Sequence, residues 1–516
     1  MDKVEVWLKS SLLFRFYMFL LSLWRNSLTG RFVEVIGRII ESSGIFTLWH
    51  RFTDRDFVKE NSFLYRVFQR LNEKSLGLRE RISAVASNGF FGRTLLNSLS
   101  LSVINQWLIP LTVLYVFVDE LGRDYLGDFA LFSYWDEALL VVCLGFVFMR
   151  WFFAKKDAPL GTTPMGAPLF LLITVTFVLF YLNATYRDVA FEGLRVVIQY
   201  VLWYFVFTAF IDEDKAAYRI LNLLVATGSI LGFHGLLQFV LKVETPAGWT
   251  DQAEASTGPR VFSIVGSPNI LAGIMVLLAP LCFAMALQKN RRYIEKLFLT
   301  GLTGVMGLCL ILTQSRMAWA GMGVAAVLFC LIVNPRWLLL VAVGVRGALF
   351  IPTVSSRIEY LLSPAYAQSS STGGRILRYT TGWEMFLENR WTGVGLGHFG
   401  GAVAMNHKDL FPDTFYMDSY WLKTMVEMGT WGILAFAVVM LVLVVWSIRA
   451  VKRAGDGDSS LIAAGGFAGL TGLIFHNAGE NIFEVPYMVV YFWIVAALVM
   501  YFGFKRRKTT WIRPEG

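Results

Sequence analysis

Four arginines fall in segments predicted to lie on one face of a membrane: Arg260, Arg316, Arg375 and Arg378. The last two are three residues apart in the stretch RILRYTTGWEMF, so they share one face of a predicted helix. A guanidinium group binds phosphate through two parallel hydrogen bonds and keeps its charge at physiological pH. The cluster therefore predicts binding of a diphosphate at the membrane surface, although lipid-headgroup anchoring is the alternative for any single arginine.

Two carboxylates in one later segment are candidates for proton transfer. Asp418 stands in MDSYW, where it is either a helix N-cap or a general base. Glu427 lies deeper in the same apolar segment, and a carboxylate inside a membrane is a functional candidate. Lys423 precedes it by one helical turn, so a structural ion pair is the alternative for Glu427.

Further polar residues are candidates for binding a saccharide. Asn269, in SPN, either caps a helix or hydrogen-bonds to a sugar. His476 and Glu480 cluster at the end of an apolar segment, either as a hydrogen-bonded helix terminus or as substrate ligands. His398 ends the glycine-rich run GVGLGH, which fits a tight turn that brings the backbone close to a ligand or a helix. No metal site is predicted, because only one histidine lies in the 476–481 cluster.

The elements that must position these residues are membrane spans. The chain has 516 residues, of which 56% are hydrophobic and 16% charged, and its mean hydropathy is +0.56. Soluble domains carry about 25% charged residues. The apolar residues here fall in blocks that approach the ~20 residues needed to cross a bilayer. The net charge of +9 resides in an N-terminal region and in short loops, which indicates membrane topology rather than nucleic-acid binding.

The fold class predicted is all-α, a polytopic membrane protein with about twelve transmembrane helices and one large extracytoplasmic loop. Residues 1–98 are expected to form amphipathic helices on the cytoplasmic surface, and residues 99–516 the transmembrane domain. Basic clusters place both termini in the cytoplasm and the loop 353–418 outside. The predicted spans are 100–118, 133–153, 166–184, 192–211, 219–241, 266–287, 296–313, 317–333, 336–352, 419–447, 460–477 and 485–504.

An ordered series of short motifs resembles the bacterial O-antigen ligase and O-antigen polymerase superfamily across roughly residues 220–500. The motifs are RVFSIVGSPN from Arg260, TQSR ending at Arg316, GR at Arg375, GVGLG, and DS at Asp418 followed by GTWG. The resemblance implies a GT-C-like, metal-independent glycosyltransferase that needs no cofactor, and one direct displacement at the anomeric carbon would make it an inverting enzyme. It implies that Arg260, Arg316 and Arg375 contact the diphosphate of an undecaprenyl diphosphate-linked glycan in the inner membrane.

One departure from the family pattern concerns the catalytic base. Ligases of this family carry a histidine where this sequence has Asp418. An aspartate also accepts a hydroxyl proton, although its reference pKa is lower than that of histidine. His398 and His407 are possible substitutes for the missing histidine.

The expected reaction is attack by a hydroxyl of an acceptor glycan or glycolipid on the lipid-linked glycan at the outer face, by a polymerase or a ligase. The alternative class is a multi-span transporter of a lipid-linked or anionic substrate, but the sequence lacks the paired halves that many transporters show.

Overall fold

The computed structural model describes residues 107–126, 134–153, 163–211, 213–245, 259–372, 374–455 and 457–505, together with Arg70, Gly77 and Arg81. Nearly all of the region predicted to lie on the cytoplasmic surface, 1–98, therefore falls outside the described residues. The chain divides into two compact units, Met1–Val85 and Ala86–Gly516, and every helix named below belongs to the second.

The described part of the chain is helical and contains no strand, which confirms the all-α class. The helices are α1 (Ile109–Val113), α2 (Tyr115–Leu126), α3 (Trp135–Phe153), α4 (Gly166–Leu182), α5 (Arg187–Phe210), α6 (Asp214–Val240), α7 (Pro268–Ala286), α8 (Tyr293–Leu312), α9 (Arg316–Val333), α10 (Leu338–Ala348), α11 (Pro352–Leu361), α12 (Pro364–Thr372), α13 (Arg375–Glu388), α14 (Ala402–Asn406), α15 (Tyr420–Ala454), α16 (Asp458–His476) and α17 (Pro486–Met500).

Eight of these described helices are long and apolar enough to cross a membrane: α5, α6, α7, α8, α9, α15, α16, and α17 extended to Phe504. The chain is thus a polytopic membrane protein, and the count of twelve spans stays a prediction. The ninth predicted span, 336–352, departs most clearly, because α10 has only 11 residues. A helix of that length rises about 16 Å, which is short of a ~30 Å hydrocarbon core.

The chain nevertheless travels between the two ends of the bundle across this stretch. The Trp337 ring lies 6.0 Å from that of Phe283, close to the C-terminal end of α7. Arg357 instead donates a hydrogen bond to Gln314, beside the N-terminus of α9, at the opposite end. The turn after α10 and the start of α11 therefore complete the passage that α10 begins.

Helices α7, α16 and α17 form the centre of the bundle. Between 72% and 100% of their apolar windows are buried, against 28% for α8 and α9. Small residues allow close approach where α16 meets α9, because a methyl group built at Gly472 would lie 2.7 Å from the carbonyl oxygen of Gly321. This contact places the N-terminal half of α9, which begins with Arg316, along the C-terminal half of α16.

The basic loops group at one end of the bundle, as their charge pattern predicts. The backbone N–H of Lys289 donates to Asp458 over 2.7 Å, and Gln288 donates to the hydroxyl of Tyr218 over 3.2 Å. Tyr501 closes the group with a 2.9 Å hydrogen bond to Asp214. The ends of α7 and α17 and the starts of α6 and α16 therefore share one side.

Helix α15 is interrupted in its first third. Gly429 has φ 62° and ψ −163°, a conformation that glycine adopts without a Cβ penalty. The carbonyl groups that lose their helical partners there still accept hydrogen bonds. The N–H groups of Val394 and Gly395 donate to the carbonyls of Val426 and Glu427 over 2.8 and 3.1 Å. The glycine-rich run thus lies directly against a helix, one of the two roles predicted for it.

Candidate active site

The candidate site forms at the bundle end opposite the basic loops. Its residues come from the segment before α7, the starts of α9, α13 and α15, and the link between α16 and α17. Met317 packs against Gly479, where a methyl group would lie 2.6 Å from Cγ of Met317. The start of α9 therefore lies beside the link that carries Glu480.

One hydrogen-bonded chain joins four of the predicted site residues. The buried Arg260 donates from Nε to the carbonyl of Thr313 over 2.9 Å and from Nη2 to Oδ1 of Asn269 over 2.8 Å. Asn269 donates in turn from Nδ2 to Oε2 of Glu480 over 2.8 Å. The other oxygen of Glu480 accepts from Nη2 of Arg375. Residues separated by more than 200 positions thus meet in one network.

Asp418 continues the network at its more exposed side. Its Oδ2 accepts from Nη1 of Arg378 over 3.0 Å, and its Oδ1 lies 3.7 Å from Nε of Arg375. Asp418 is not the N-cap of α15, because Ser419 holds that position and accepts from the N–H of Leu422 over 3.2 Å. The carboxylate of Asp418 is therefore directed to the arginines rather than to the helix terminus.

Arg316 occupies the first turn of α9, and its guanidinium carbon lies 5.0 Å from the ring centre of Tyr366 on α12. The preceding Gln314 has a left-handed backbone with φ 55° and is 2% exposed. Its Oε1 accepts from Nε of Arg357 over 3.2 Å. Arg357 is equally buried, and the sequence reasoning missed it, because it carries no motif and lies in a stretch treated as loop.

The pKa values of the charged groups in the network depend on two opposing effects, burial and the nearby opposite charges. Burial raises the pKa of Glu480 above its usual value, and the adjacent Arg375 guanidinium acts in the opposite direction. For Arg375 itself burial lowers the pKa, but the carboxylates of Glu480 and Asp418 outweigh burial and the pKa is raised. The guanidinium therefore stays charged while 27% of its side chain remains accessible to a ligand.

The histidines occupy different surroundings. His398 donates from Nδ1 to the carbonyl of Leu396 over 2.7 Å, and its Nε2 accepts from the N–H of Tyr186 over 3.3 Å. Burial lowers its pKa, and both of its nitrogens form hydrogen bonds with the backbone. His407 pairs with Glu192 at 3.3 Å on α5. The structure thus brings neither histidine into the network.

His476 lies at the end of α16, three residues before the link turns at Gly479. Its side chain is fully buried, and among the described residues neither ring nitrogen has a hydrogen-bond partner. Contact with a substrate would require movement of the surrounding side chains, so its substrate-binding role stays a prediction. The described residues also contain no group of three or more His, Cys, Asp or Glu placed to hold a metal ion.

Lys423 and Glu427 form the ion pair predicted from their spacing, with Nζ 2.7 Å from Oε2. The structure adds a third member, since the same Nζ lies 2.7 Å from Oε1 of Glu484. Glu484 gave no signal in the sequence, because it stands in a short polar link with no helical partner position.

The fold and the site define a helical membrane protein with ion-paired arginines gathered at one end of its bundle. Residues 301–437 match the family model of O-antigen ligase. This match confirms the resemblance to the O-antigen ligase and polymerase superfamily, whose members act in surface-polysaccharide synthesis on lipid-linked glycans. No curated protein matches the chain.

The matched segment runs from α8 to the first half of α15, so it contains Arg316, Arg375, Arg378 and Asp418. The remaining members of the network come from outside it. Arg260 and Asn269 precede it, and Glu480 follows it. The contacts between α7, α9 and the 477–484 link are what join the two groups.

Proposed function

We propose that this protein transfers a saccharide from undecaprenyl diphosphate to a sugar hydroxyl of an acceptor glycan or glycolipid at the outer face of the inner membrane. The observation that carries the proposal is the Asp418 carboxylate held beside two partly exposed guanidinium groups. A base for a hydroxyl and a binding site for a diphosphate are the two groups that such a transfer needs.

The diphosphate of the donor is assigned to Arg375 and Arg378. Their side chains are 27% and 36% exposed, so N–H groups remain within reach of a ligand from outside the protein. As the bond to the sugar breaks, negative charge develops on the diphosphate oxygen. Fixed guanidinium groups stabilise that charge more than they stabilise the ground state, which lowers the barrier.

Asp418 is assigned as the general base. The acceptor hydroxyl oxygen forms a bond to the anomeric carbon while the bond from that carbon to the diphosphate oxygen breaks. The hydroxyl proton passes to the carboxylate of Asp418, and undecaprenyl diphosphate leaves as an anion. A single direct displacement inverts the configuration at the anomeric carbon.

Arg260, Asn269 and Arg316 support the arginine pair in different ways. Arg260 is 7% exposed, and its hydrogen bonds to Thr313 and Asn269 fix the segment before α7 against Glu480. Glu480 then holds Arg375 in place. The family resemblance also assigns Arg260 and Arg316 to the diphosphate. Of the two, Arg316 is the one that contacts the long loop, through Tyr366 on α12.

The proposed orientation, with the site on the outer side, predicts the outcome of cysteine labelling. Ser371 lies exposed on α12 and Asn290 lies exposed among the basic loops. In a background that lacks the four native cysteines, an impermeant thiol reagent on intact cells should label Ser371→Cys and leave Asn290→Cys unlabelled. Labelling of the second variant alone would reverse the orientation and place the site in the cytoplasm.

A strain that lacks this protein provides the functional test. We expect its surface glycan to change in one of two ways, both consistent with transfer from a lipid carrier. Loss of long chains with single repeats still attached identifies a polymerase, and accumulation of unattached polymer on the lipid identifies a ligase. A surface glycan of normal length and amount, with no lipid-linked precursor accumulated, would contradict the proposed function.

A further inference from the structure

A second buried charge cluster lies within α15 and the adjacent link. Nζ of Lys423 lies 2.7 Å from a carboxylate oxygen of Glu427 and 2.7 Å from one of Glu484. The three side chains are 10%, 5% and 4% exposed. Burying three charged groups is costly, and the cost is offset only when the groups are paired and hydrogen-bonded. We call this group the Lys423 cluster.

The Lys423 cluster joins three separate segments. Oε2 of Glu484 accepts from the backbone N–H of Ala402 over 2.9 Å, and Oε1 of Glu427 accepts from that of Phe399 over 3.4 Å. The segment 399–402, directly after the glycine-rich run, is therefore held by the same carboxylates that Lys423 pairs with.

The cluster also lies close in sequence to both carboxylates of the candidate site. Lys423, in the first turn of α15, is five residues after Asp418, and Glu484 is four residues after Glu480 in the same link. The backbone N–H of Tyr420 also donates to the carbonyl of Asn477 over 3.1 Å, which joins the start of α15 to the link. The Lys423–Glu484 pair therefore restrains the distance between Asp418 and Glu480, whose carboxylates lie beside Nε and Nη2 of Arg375.

From this placement we infer that Lys423 is a positioning residue, which sets the geometry of the Asp418–Arg375–Glu480 group through its ion pairs. The inference rests on the proposed glycosyl transfer and adds a residue that does not touch the substrate. A displacement of about 1 Å in a catalytic group lowers the rate by about 10²-fold, so an ion pair one helical turn away has a measurable effect.

Gly401→Ala tests the inference without altering any charge. Gly401 has φ −122°, which alanine adopts freely, but a methyl group there would overlap Cε of Lys423 and lie 2.7 Å from Oε2 of Glu484. Gly323→Ala is the matched control, because no atom lies within 4 Å of its added methyl group. We expect Gly401→Ala to lower kcat by about 10²-fold with a smaller change in the donor KM, and the control to be unaffected.

Lys423→Met gives a readout that loss of packing alone would not change. Without the ammonium, the carboxylates of Glu427 and Glu484 lose their shared ion-pair partner, and two like charges are left in a buried site. Among the residues that the structure describes, the phenol of Tyr200 lines the same cavity, and the phenols of Tyr416 and Tyr420 lie near these carboxylates. A cavity of about 50 Å³ beside the cluster exceeds the about 10–15 Å³ that one water molecule needs.

The pH profile of Lys423→Met therefore has a predicted sign. At low pH the protonated carboxyls are neutral and the loop remains bound, whereas ionisation at higher pH adds uncompensated buried charge. Activity relative to the wild type should accordingly fall as the pH rises. A uniform loss across the pH range would show a packing role and would overturn the inference.

Amide hydrogen exchange at Ala402 and Phe399 distinguishes failure of the positioning role from failure of the proposed function. It reports directly on the hydrogen bonds from these amides to the two carboxylates. Exchange should accelerate in Gly401→Ala and not in Gly323→Ala. Accelerated exchange with wild-type turnover would overturn the positioning role alone, as would unchanged exchange. A wild-type protein that releases no undecaprenyl diphosphate from a lipid-linked donor would overturn the proposed function and the positioning role together.

Discussion

We expect Asp418→Asn to lower the rate of saccharide transfer by about 10²- to 10⁴-fold, the range typical of a lost general base. The amide oxygen still accepts a hydrogen bond from Arg378, so the arginines keep a partner at 3.0 Å in the wild-type position. It cannot accept a proton at neutral pH. Donor binding should survive because Arg375 and Arg378 remain. Release of undecaprenyl diphosphate under single-turnover conditions measures the effect.

Asp418→His is the companion variant, since family ligases carry histidine at the corresponding position. An imidazole acts as a base only in its neutral form, and its reference pKa is about 6.5. Partial activity that is lost as the pH falls through the imidazole pKa would support equivalence of the two groups. Helix capping does not confuse the result, because Ser419 caps α15. Wild-type turnover in Asp418→Asn would remove Asp418 from the mechanism.

Arg375→Lys should lower transfer by about 10²- to 10³-fold although the charge is retained, a loss comparable to removal of one preorganised donor. The guanidinium of Arg375 contacts Glu480 with one nitrogen and lies 3.7 Å from Asp418 with another. An ammonium is a point charge on a flexible stem and cannot hold both carboxylates and a phosphate in one plane. The donor KM and kcat, measured on protein purified at a normal level, separate binding from transfer.

The control for Arg375→Lys is Arg453→Lys, at the other end of the bundle. Arg453 contacts the ring of Phe504 at 5.5 Å, so it is also a partly packed arginine near a helix end. Its replacement should leave transfer unchanged. Equal activity losses in the two variants would indicate a general requirement for arginine at membrane interfaces, and Arg375 would then have no special role.

The sequence predicted the meeting of distant residues for a topological reason. Arg260, Asp418 and Glu480 adjoin the same ends of apolar segments, and Arg375 lies in the long loop on that side. Spans of uniform length bring such ends together. The sequence could not predict the distances between these side chains, because the distances depend on close helix contacts such as that of Gly479 with Met317. The family motifs identified individual residues of the site, whereas the charge pattern alone indicated only the side of the membrane.

The residues that escaped prediction lack a periodic signal. Arg357 and Glu484 act through tertiary contacts, with Gln314 and with Lys423, that no local spacing encodes. His398 looked available as a substitute base, yet its nitrogens are used by the backbone of Leu396 and Tyr186. The short α10 was predicted as part of a full span because composition does not reveal where a helix turns.

The most direct test of the proposed function uses the purified protein in lipid bilayers, with an undecaprenyl diphosphate-linked glycan as donor and a glycan acceptor. The wild-type protein should release undecaprenyl diphosphate and extend the acceptor by one saccharide unit in equal amounts, and Asp418→Asn should do neither at a comparable rate. Donor that stays intact with the wild-type protein, or that appears unchanged across the membrane, would contradict glycosyl transfer and favour a transporter.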